Sequence, residues 1–214
     1  MQLAIGLYDG FTALDWIGPY QVFANALDFD IVLCADHKGL IHDDMDTMHV
    51  EVDATFADVP APDVLMVPGG FITRRLARDR APIVEWIEAA HPHTTWTTSV
   101  CTGALLLGAA GVLRGEPATT HWVAYDELAS YGATPTEQRV VRTGKVLTGA
   151  GVSAGIDMAL TLVSLIHGQD MAEAVQLGIE YDPQPPFDSG APSKARSDIK
   201  DLVLAVTAEA EAKL

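Results

Sequence analysis

Apolar residues along the chain gather in short runs separated by polar, glycine- or proline-marked breaks, and their spacing predicts alternating strands and helices. Leu3-Ala4-Ile5-Gly6-Leu7 is a continuous run of strand length. Residues 12–26 follow as a helix with Leu14, Ile17, Val22 and Phe23 as core candidates, and an internal Gly18-Pro19 is expected to kink or restart it. Phe29-Asp30-Ile31-Val32-Leu33-Cys34 is the second strand. Residues 36–57 are loop-rich, with room for a small hairpin. Asp63-Val64-Leu65-Met66-Val67 is a buried strand that stops at Pro68-Gly69-Gly70. Residues 82–90 form a helix with proline in its first turn.

Thr95-Trp96-Thr97-Thr98-Ser99-Val100 is β-branched, aromatic or small and predicts another buried strand. The small residues and leucines after Cys101 predict a buried helix ending near Ala110-Gly111. Ala118-Thr119-Thr120-His121-Trp122 begins a short strand that leads into a helix through Tyr131-Gly132, and residues 139–148 form a hairpin turning at glycine. Ser153 is the candidate N-cap of a helix over 154–167, and another helix covers about 170–179. Asp182-Pro183-Gln184-Pro185-Pro186-Phe187 is extended and rigid. A polar-sided helix runs from Ser197 onward. With no repeat and no linker between two cores, the chain is expected to be one α/β domain over residues 1–214. Its mostly parallel sheet has helices on both faces. In such sheets sites lie at the carboxyl ends of the strands. Tyr8-Asp9-Gly10, Pro68-Gly69-Gly70 and Val100-Cys101-Thr102 fit that position.

Charge narrows the partners. The chain carries 29 Asp and Glu against 13 Lys and Arg, a net charge of -16, with no basic cluster. Nucleic acid and anionic surfaces are therefore not expected partners. No run is long and apolar enough to cross a bilayer, and the N-terminus reads as a strand rather than a signal peptide. The two cysteines, Cys34 and Cys101, and this start point to a reducing, cytoplasmic setting without a disulfide.

Cys101 stands at a sharp strand-to-helix turn, the geometry of a nucleophile elbow. A helix N-terminus there is expected to favour thiolate and to offer free N–H groups to a developing anion. Thr102 supplies an N–H beside the sulfur, and Gly70 is a candidate for a second. Asp15 lies in the apolar stretch Ala13-Leu14-Asp15-Trp16-Ile17-Gly18, where it is either a first-turn carboxylate answering the helix dipole or a buried acid with a raised pKa. His121 is a weaker candidate base. The remaining histidines, His37, His42, His91 and His93 among them, show no metal-ligand spacing, and Thr148-Gly149-Ala150-Gly151 lacks the nucleotide fingerprints, so neither a metal site nor nucleotide binding is expected.

Together Leu14-Asp15-Trp16-Ile17-Gly18-Pro19, Pro68-Gly69-Gly70 and Ser99-Val100-Cys101-Thr102-Gly103 resemble the ThiJ/PfpI superfamily, which shares the class I glutamine amidotransferase-like fold. Within it the chain is similar to the isocyanide hydratases. That narrower likeness rests on Gly108-Ala109-Ala110-Gly111, Ala118-Thr119-Thr120-His121-Trp122, Leu147-Thr148-Gly149-Ala150-Gly151-Val152-Ser153-Ala154-Gly155-Ile156-Asp157 and Glu180-Tyr181-Asp182-Pro183-Gln184-Pro185-Pro186-Phe187. The resemblance implies a flavodoxin-like three-layer sandwich, a homodimer, and cofactor-free hydration of an isocyanide to an N-substituted formamide through a thioimidate. Cys101 would attack, Asp15 would move the protons, and the Thr102 hydroxyl would position Asp15 or the sulfur. Ala150 stands where the hydratases carry the middle of three glycines. Thr102 replaces the histidine that follows the cysteine in the peptidase branch, which speaks against proteolysis. Two alternatives remain. One is a glyoxalase-like enzyme acting on small aldehydes. The other is a stand-alone ligand- or redox-sensing domain related to the sensors of AraC-type regulators, with Cys101 open to oxidation.

Overall fold

The computed structural model describes residues 1–212. In chain order its elements are β1 (Gln2–Gly6), α1 (Ala13–Ala24), β2 (Asp30–Ala35), β3 (Gly39–His42), β4 (His49–Val52), β5 (Ala54–Thr55) and β6 (Val64–Val67), then α2 (Thr73–Arg78), α3 (Pro82–Ala90), β7 (Trp96–Val100) and α4 (Gly103–Ala109). They continue with β8 (Pro117–Ala118), α5 (Tyr125–Ser130), β9 (Thr134–Pro135), β10 (Val140–Thr143), β11 (Val146–Gly149), α6 (Ala154–His167), α7 (Gln169–Gly178) and α8 (Ser197–Glu211). Seven strands form the central sheet in the order β10-β11-β7-β6-β1-β2-β5. All neighbours are parallel except β10, which returns antiparallel along β11. Covered on both faces, the middle strands have no polar side to show: every residue of β6 is buried, as are Leu3 to Gly6 of β1. Helices α1 and α6 pack together, and α4 packs on α2 and α3. The result is the flavodoxin-like three-layer sandwich.

Strand order reverses between β1, which leads outward to β2, and β6, which leads the other way to β7. This switch point opens a crevice beyond the carboxyl ends of the strands. The loops after β1, β6 and β7 all reach it, and they carry the three segments singled out above.

Four local expectations are corrected. Helix α1 continues through Pro19 without restarting. Pro19 instead seats its ring against α6, where a side chain on Gly155 would come within 2.9 Å of it. Leu14 is 44% exposed and lies outside the core, because the inward stripe of α1 is Asp15, Gly18, Pro19, Val22 and Phe23. The strand expected at residue 118 is only the two-residue β8, after which Thr119 and Thr120 are held by side-chain bonds. Ser153 adopts helical dihedrals and makes no capping bond; its Oγ accepts from Arg139 Nη2 instead.

Candidate active site

The elbow is built from backbone outward. Cys101 follows the last residue of β7 with φ +58°, a left-handed conformation that non-glycine residues adopt rarely. Its surroundings enforce it. The Cys101 N–H donates to the carbonyls of Gly149 (3.1 Å) and Ala150 (2.8 Å), and its own carbonyl accepts from Thr120 Oγ1 at 2.9 Å. Ala150 thus holds the elbow through its carbonyl, and the residue lines a second cavity with Arg139, Gly151 and Ser153.

Pro68-Gly69-Gly70 is far more than a turn. A Cβ on Gly69 would lie 2.7 Å from both Thr102 N and Thr102 Oγ1 and 2.8 Å from Asp15 Oδ2, and one on Gly70 would lie 2.2 Å from the Gly10 carbonyl. Glycine allows three loops to meet there. Gly69 N–H donates to Asp15 Oδ2 at 2.8 Å. Gly70 N–H donates to Thr102 Oγ1 at 3.0 Å, and that hydroxyl lies 3.1 Å from the Gly70 carbonyl, to which it donates. Two expectations change accordingly. Gly70 lines the cavity but has already given its N–H to Thr102, so it is not available as an anion-hole donor. The Thr102 hydroxyl reaches neither Asp15 nor the sulfur; it fixes the turn whose Gly69 N–H holds Asp15.

The donors that face the sulfur are the backbone N–H groups of Val152 and Thr102, which pull the thiol pKa down. They are outweighed. Burial first, and then the Asp15 carboxylate, push the Cys101 thiol well above the usual thiol range. Cys101 is 6% exposed. The pull of the N–H groups at the start of α4 acts in the expected direction, and burial of the sulfur outweighs it. Asp15 is fully buried, and burial raises its pKa from 3.8 to about 7 against the lowering pull of Gly69 N–H and the Cys101 thiol. Its Oδ1 has no hydrogen-bond partner. The first-turn surface carboxylate is excluded. Carboxyl and thiol are instead two buried neighbours, each perturbing the other: the thiol keeps its proton at neutral pH, and the carboxyl titrates near 7.

Other residues complete the site. Tyr8 is buried, with its hydroxyl donating to the Pro68 carbonyl at 2.8 Å; burial, then Asp15 and Cys101, raise its pKa. His121 caps the turn at Trp122 by accepting from Val123 N–H through Nδ1 at 3.4 Å, and burial lowers its pKa. It is a neutral wall of the cavity with its Nδ1 engaged. Asp44 accepts from Thr12 Oγ1 at 2.6 Å at the mouth.

Cys101 and Thr102 open onto a cavity of about 480 Å³, walled by Phe71, Val123 and Val152 and roofed by Leu202, Val203 and Val206 of α8. Arg74, also on the wall, pairs with Glu127 at 2.7 Å and with Glu211 at the end of α8, which ties the roof to α2. The roof has no signature in the sequence, because nothing in a remote amphipathic helix announces where it docks. Val152 and Tyr8 lay within segments already singled out, but a backbone donor and a buried phenol carry no signature of their own.

Sheet, switch point and elbow define an α/β sandwich with a buried cysteine–carboxylate pair at the carboxyl ends of its strands. The chain belongs to the DJ-1/PfpI family, whose model matches residues 1–165. It is 43% identical over 202 residues to the isonitrile hydratase of Pseudomonas putida, covering 94% of this chain and 87% of that one. A solved ThiJ/PfpI family protein from Pseudomonas syringae superposes with TM-score 0.93 at 37% identity, covering 99% of this chain and 88% of the other. The HTH-type transcriptional regulator CdhR of Pseudomonas aeruginosa is 29% identical over 79% of this chain, which spans 52% of that regulator.

Proposed function

We propose that this protein hydrates isocyanides to N-substituted formamides, with Cys101 as nucleophile and Asp15 as proton carrier. The likeness to the Pseudomonas putida isonitrile hydratase supports the reaction, and the buried Asp15–Cys101 pair is the observation that carries the mechanism. A thiol with a raised pKa needs a base at the moment of attack, and the ionised Asp15 carboxylate is that base. The sulfur bonds to the terminal isocyanide carbon while Asp15 takes the thiol proton. Asp15 then returns the proton to that carbon, which leaves a neutral thioimidate, R–N=CH–S–Cys101. Water adds next: Asp15 accepts its proton, hydroxide bonds to the carbon, and the nitrogen receives the proton. The resulting R–NH–CH(OH)–S–Cys101 collapses, the carbon–sulfur bond breaks, the hydroxyl proton passes to sulfur, and R–NH–CHO leaves. Val152 and Thr102 N–H groups stabilise the charge on sulfur as it departs.

The apolar walls and roof suit an uncharged, bulky R group. The test is formamide formation from cyclohexyl isocyanide by the wild type and by Cys101→Ala, with methylglyoxal in parallel. Product from the wild type alone is expected. A folded wild type that makes no formamide would sink the proposal, and turnover of methylglyoxal instead would move the chain to the glyoxalase-like reading.

We further infer that residues 1–214 act as one unit and that two chains pair. Support for pairing comes from apolar side chains left exposed outside the cavity, Leu14 and Tyr20 on α1 and Leu204 on α8. A light-scattering mass of a single chain would overturn it.

A further inference from the structure

Away from the cavity that holds Cys101, the β3–β4 hairpin brings three metal-type ligands to one point. His42 and His49 are partners across the antiparallel pair, and their rings lie 4.2 Å apart. Asp46, in the connecting turn, places Oδ1 2.8 Å from His42 Nδ1 and 3.5 Å from His49 Nε2. All three ligand atoms lie within 4.8 Å of one another. Separated by three and two residues in sequence, they have no familiar ligand spacing, and only the hairpin register assembles them.

The distances fit a specific chemistry. Two ligands bound at about 2.1 Å in a tetrahedral zinc site stand about 3.4 Å apart. The two separations to Asp46 bracket that figure, and with all three ligand atoms within 4.8 Å of one another, side-chain rotation is what brings the two imidazoles onto one ion. The turn is also held in place before any ion arrives. Asp43 Oδ1 accepts from the N–H groups of Thr47 (2.8 Å) and Met48 (2.9 Å), and Asp43 N–H donates to the Met48 carbonyl at 3.0 Å. His42 is anchored on the other side, its N–H donating to Asp9 Oδ1 at 2.9 Å and its carbonyl accepting from Gly10 N–H at 2.8 Å. As a simple surface ion pair the arrangement is worth little. It also leaves two imidazoles side by side with one carboxylate between them. A divalent ion satisfies all three at once.

We propose that His42, Asp46 and His49 form a binding site for one divalent transition-metal ion of borderline softness, such as Zn²⁺ or Co²⁺. Two imidazoles and a single carboxylate select against Mg²⁺ and Ca²⁺, which require more oxygen ligands. The side chains are roughly half exposed or more, so water completes the coordination. The site has a line to the catalytic cavity: Asp44, two residues from His42, donates its N–H to the Phe11 carbonyl and accepts from Thr12 at the mouth. A bound ion closes the two ends of the hairpin and steadies this wall.

The proposal is independent of the reaction at Cys101 and is tested on the full chain by calorimetric titration with Zn²⁺ and by the visible absorption of bound Co²⁺. The wild type and Cys101→Ala are expected to bind one ion per chain with equal affinity and with a melting temperature that rises with Zn²⁺. Mg²⁺ and Ca²⁺ are expected to do neither. His42→Ala and His49→Ala should each weaken binding at least about tenfold, and Asp46→Asn should shift the Co²⁺ spectrum. Three results overturn it: no binding by the wild type, binding unchanged in both histidine variants, or binding lost in Cys101→Ala, which would put the ion on the buried thiol. Because all three ligands are on the surface, the variants keep the fold, and Asp46→Asn reports even where a histidine variant is poorly behaved.

Discussion

At the scale of single residues the decisive group is Asp15, and its burial has two consequences of opposite sign. A carboxyl that titrates near 7 in the fold and near 3.8 in the unfolded chain binds its proton more tightly when folded. Its folded pKa is raised, so its contribution to stability is complete below about pH 4 and is lost as pH rises through 7. By then the fold has given up as much as about 4 kcal/mol, at 1.36 kcal/mol per pK unit. Asp15→Asn keeps an acceptor for Gly69 N–H and removes the ionisation. The variant is therefore expected to melt higher than the wild type, by a margin that widens between pH 5 and pH 8, while formamide production falls roughly 10²- to 10⁴-fold. Thermal melts at the two pH values check the first part; a margin that does not widen would mean that Asp15 titrates normally. In the wild type kcat/KM should fall as pH drops below about 7, because the base that takes the thiol proton is then already protonated. The burial of Asp15 was legible in principle. Asp15, Gly18, Pro19, Val22 and Phe23 recur at helical spacing, but a stripe that begins with an acid and continues with glycine and proline scores poorly as a core face, so Leu14 and Ile17 looked the better candidates.

Among the elements, α8 joins a site that otherwise lies within the sandwich. None of its residues is buried, yet Leu202, Val203 and Val206 roof the cavity above Cys101, and Glu211 ties its far end to Arg74. In the proposed reaction a roof of this kind would meet the R group of the isocyanide and not the reacting carbon, so its effect is expected on selectivity. Truncating Leu202 and Val206 together to alanine removes apolar contact worth about 0.8 kcal/mol per methylene buried. The expected result is a fall of roughly 3- to 10-fold in kcat/KM for cyclohexyl isocyanide, carried mostly by KM, with methyl isocyanide changed less than about twofold. Equal losses on both substrates would show that α8 supports the elbow rather than the R group. The strands and helices of the sandwich were legible because their apolar periods are local. The position of α8 was not, since an amphipathic period states that a helix docks but not on what. The same limit applied to the hairpin, where cross-strand register, invisible in spacing, joins His42 to His49.

For the whole molecule the controlling quantity is charge. A net charge of -16 surrounds a cavity whose walls are mainly apolar, with Asp44 at its mouth and Arg74 already paired to two glutamates. Such a field repels anions over a distance set by the Debye length, about 30 Å at 0.01 M salt and 3 Å at 1 M. It exerts no net force on a neutral molecule. An uncharged alkyl isocyanide therefore enters without steering in either direction, and burial of its R group supplies the affinity. The kcat/KM for cyclohexyl isocyanide is expected to change less than about twofold between roughly 20 mM and roughly 500 mM sodium chloride. An isocyanide bearing a carboxylate at the far end of R is expected to be a poor substrate at low salt and to improve as salt screens the field, through kcat/KM rather than kcat. A carboxylate-bearing substrate that outperforms the neutral one at low salt would place an unpaired cation within reach of the cavity and would overturn the assignment of an uncharged R group.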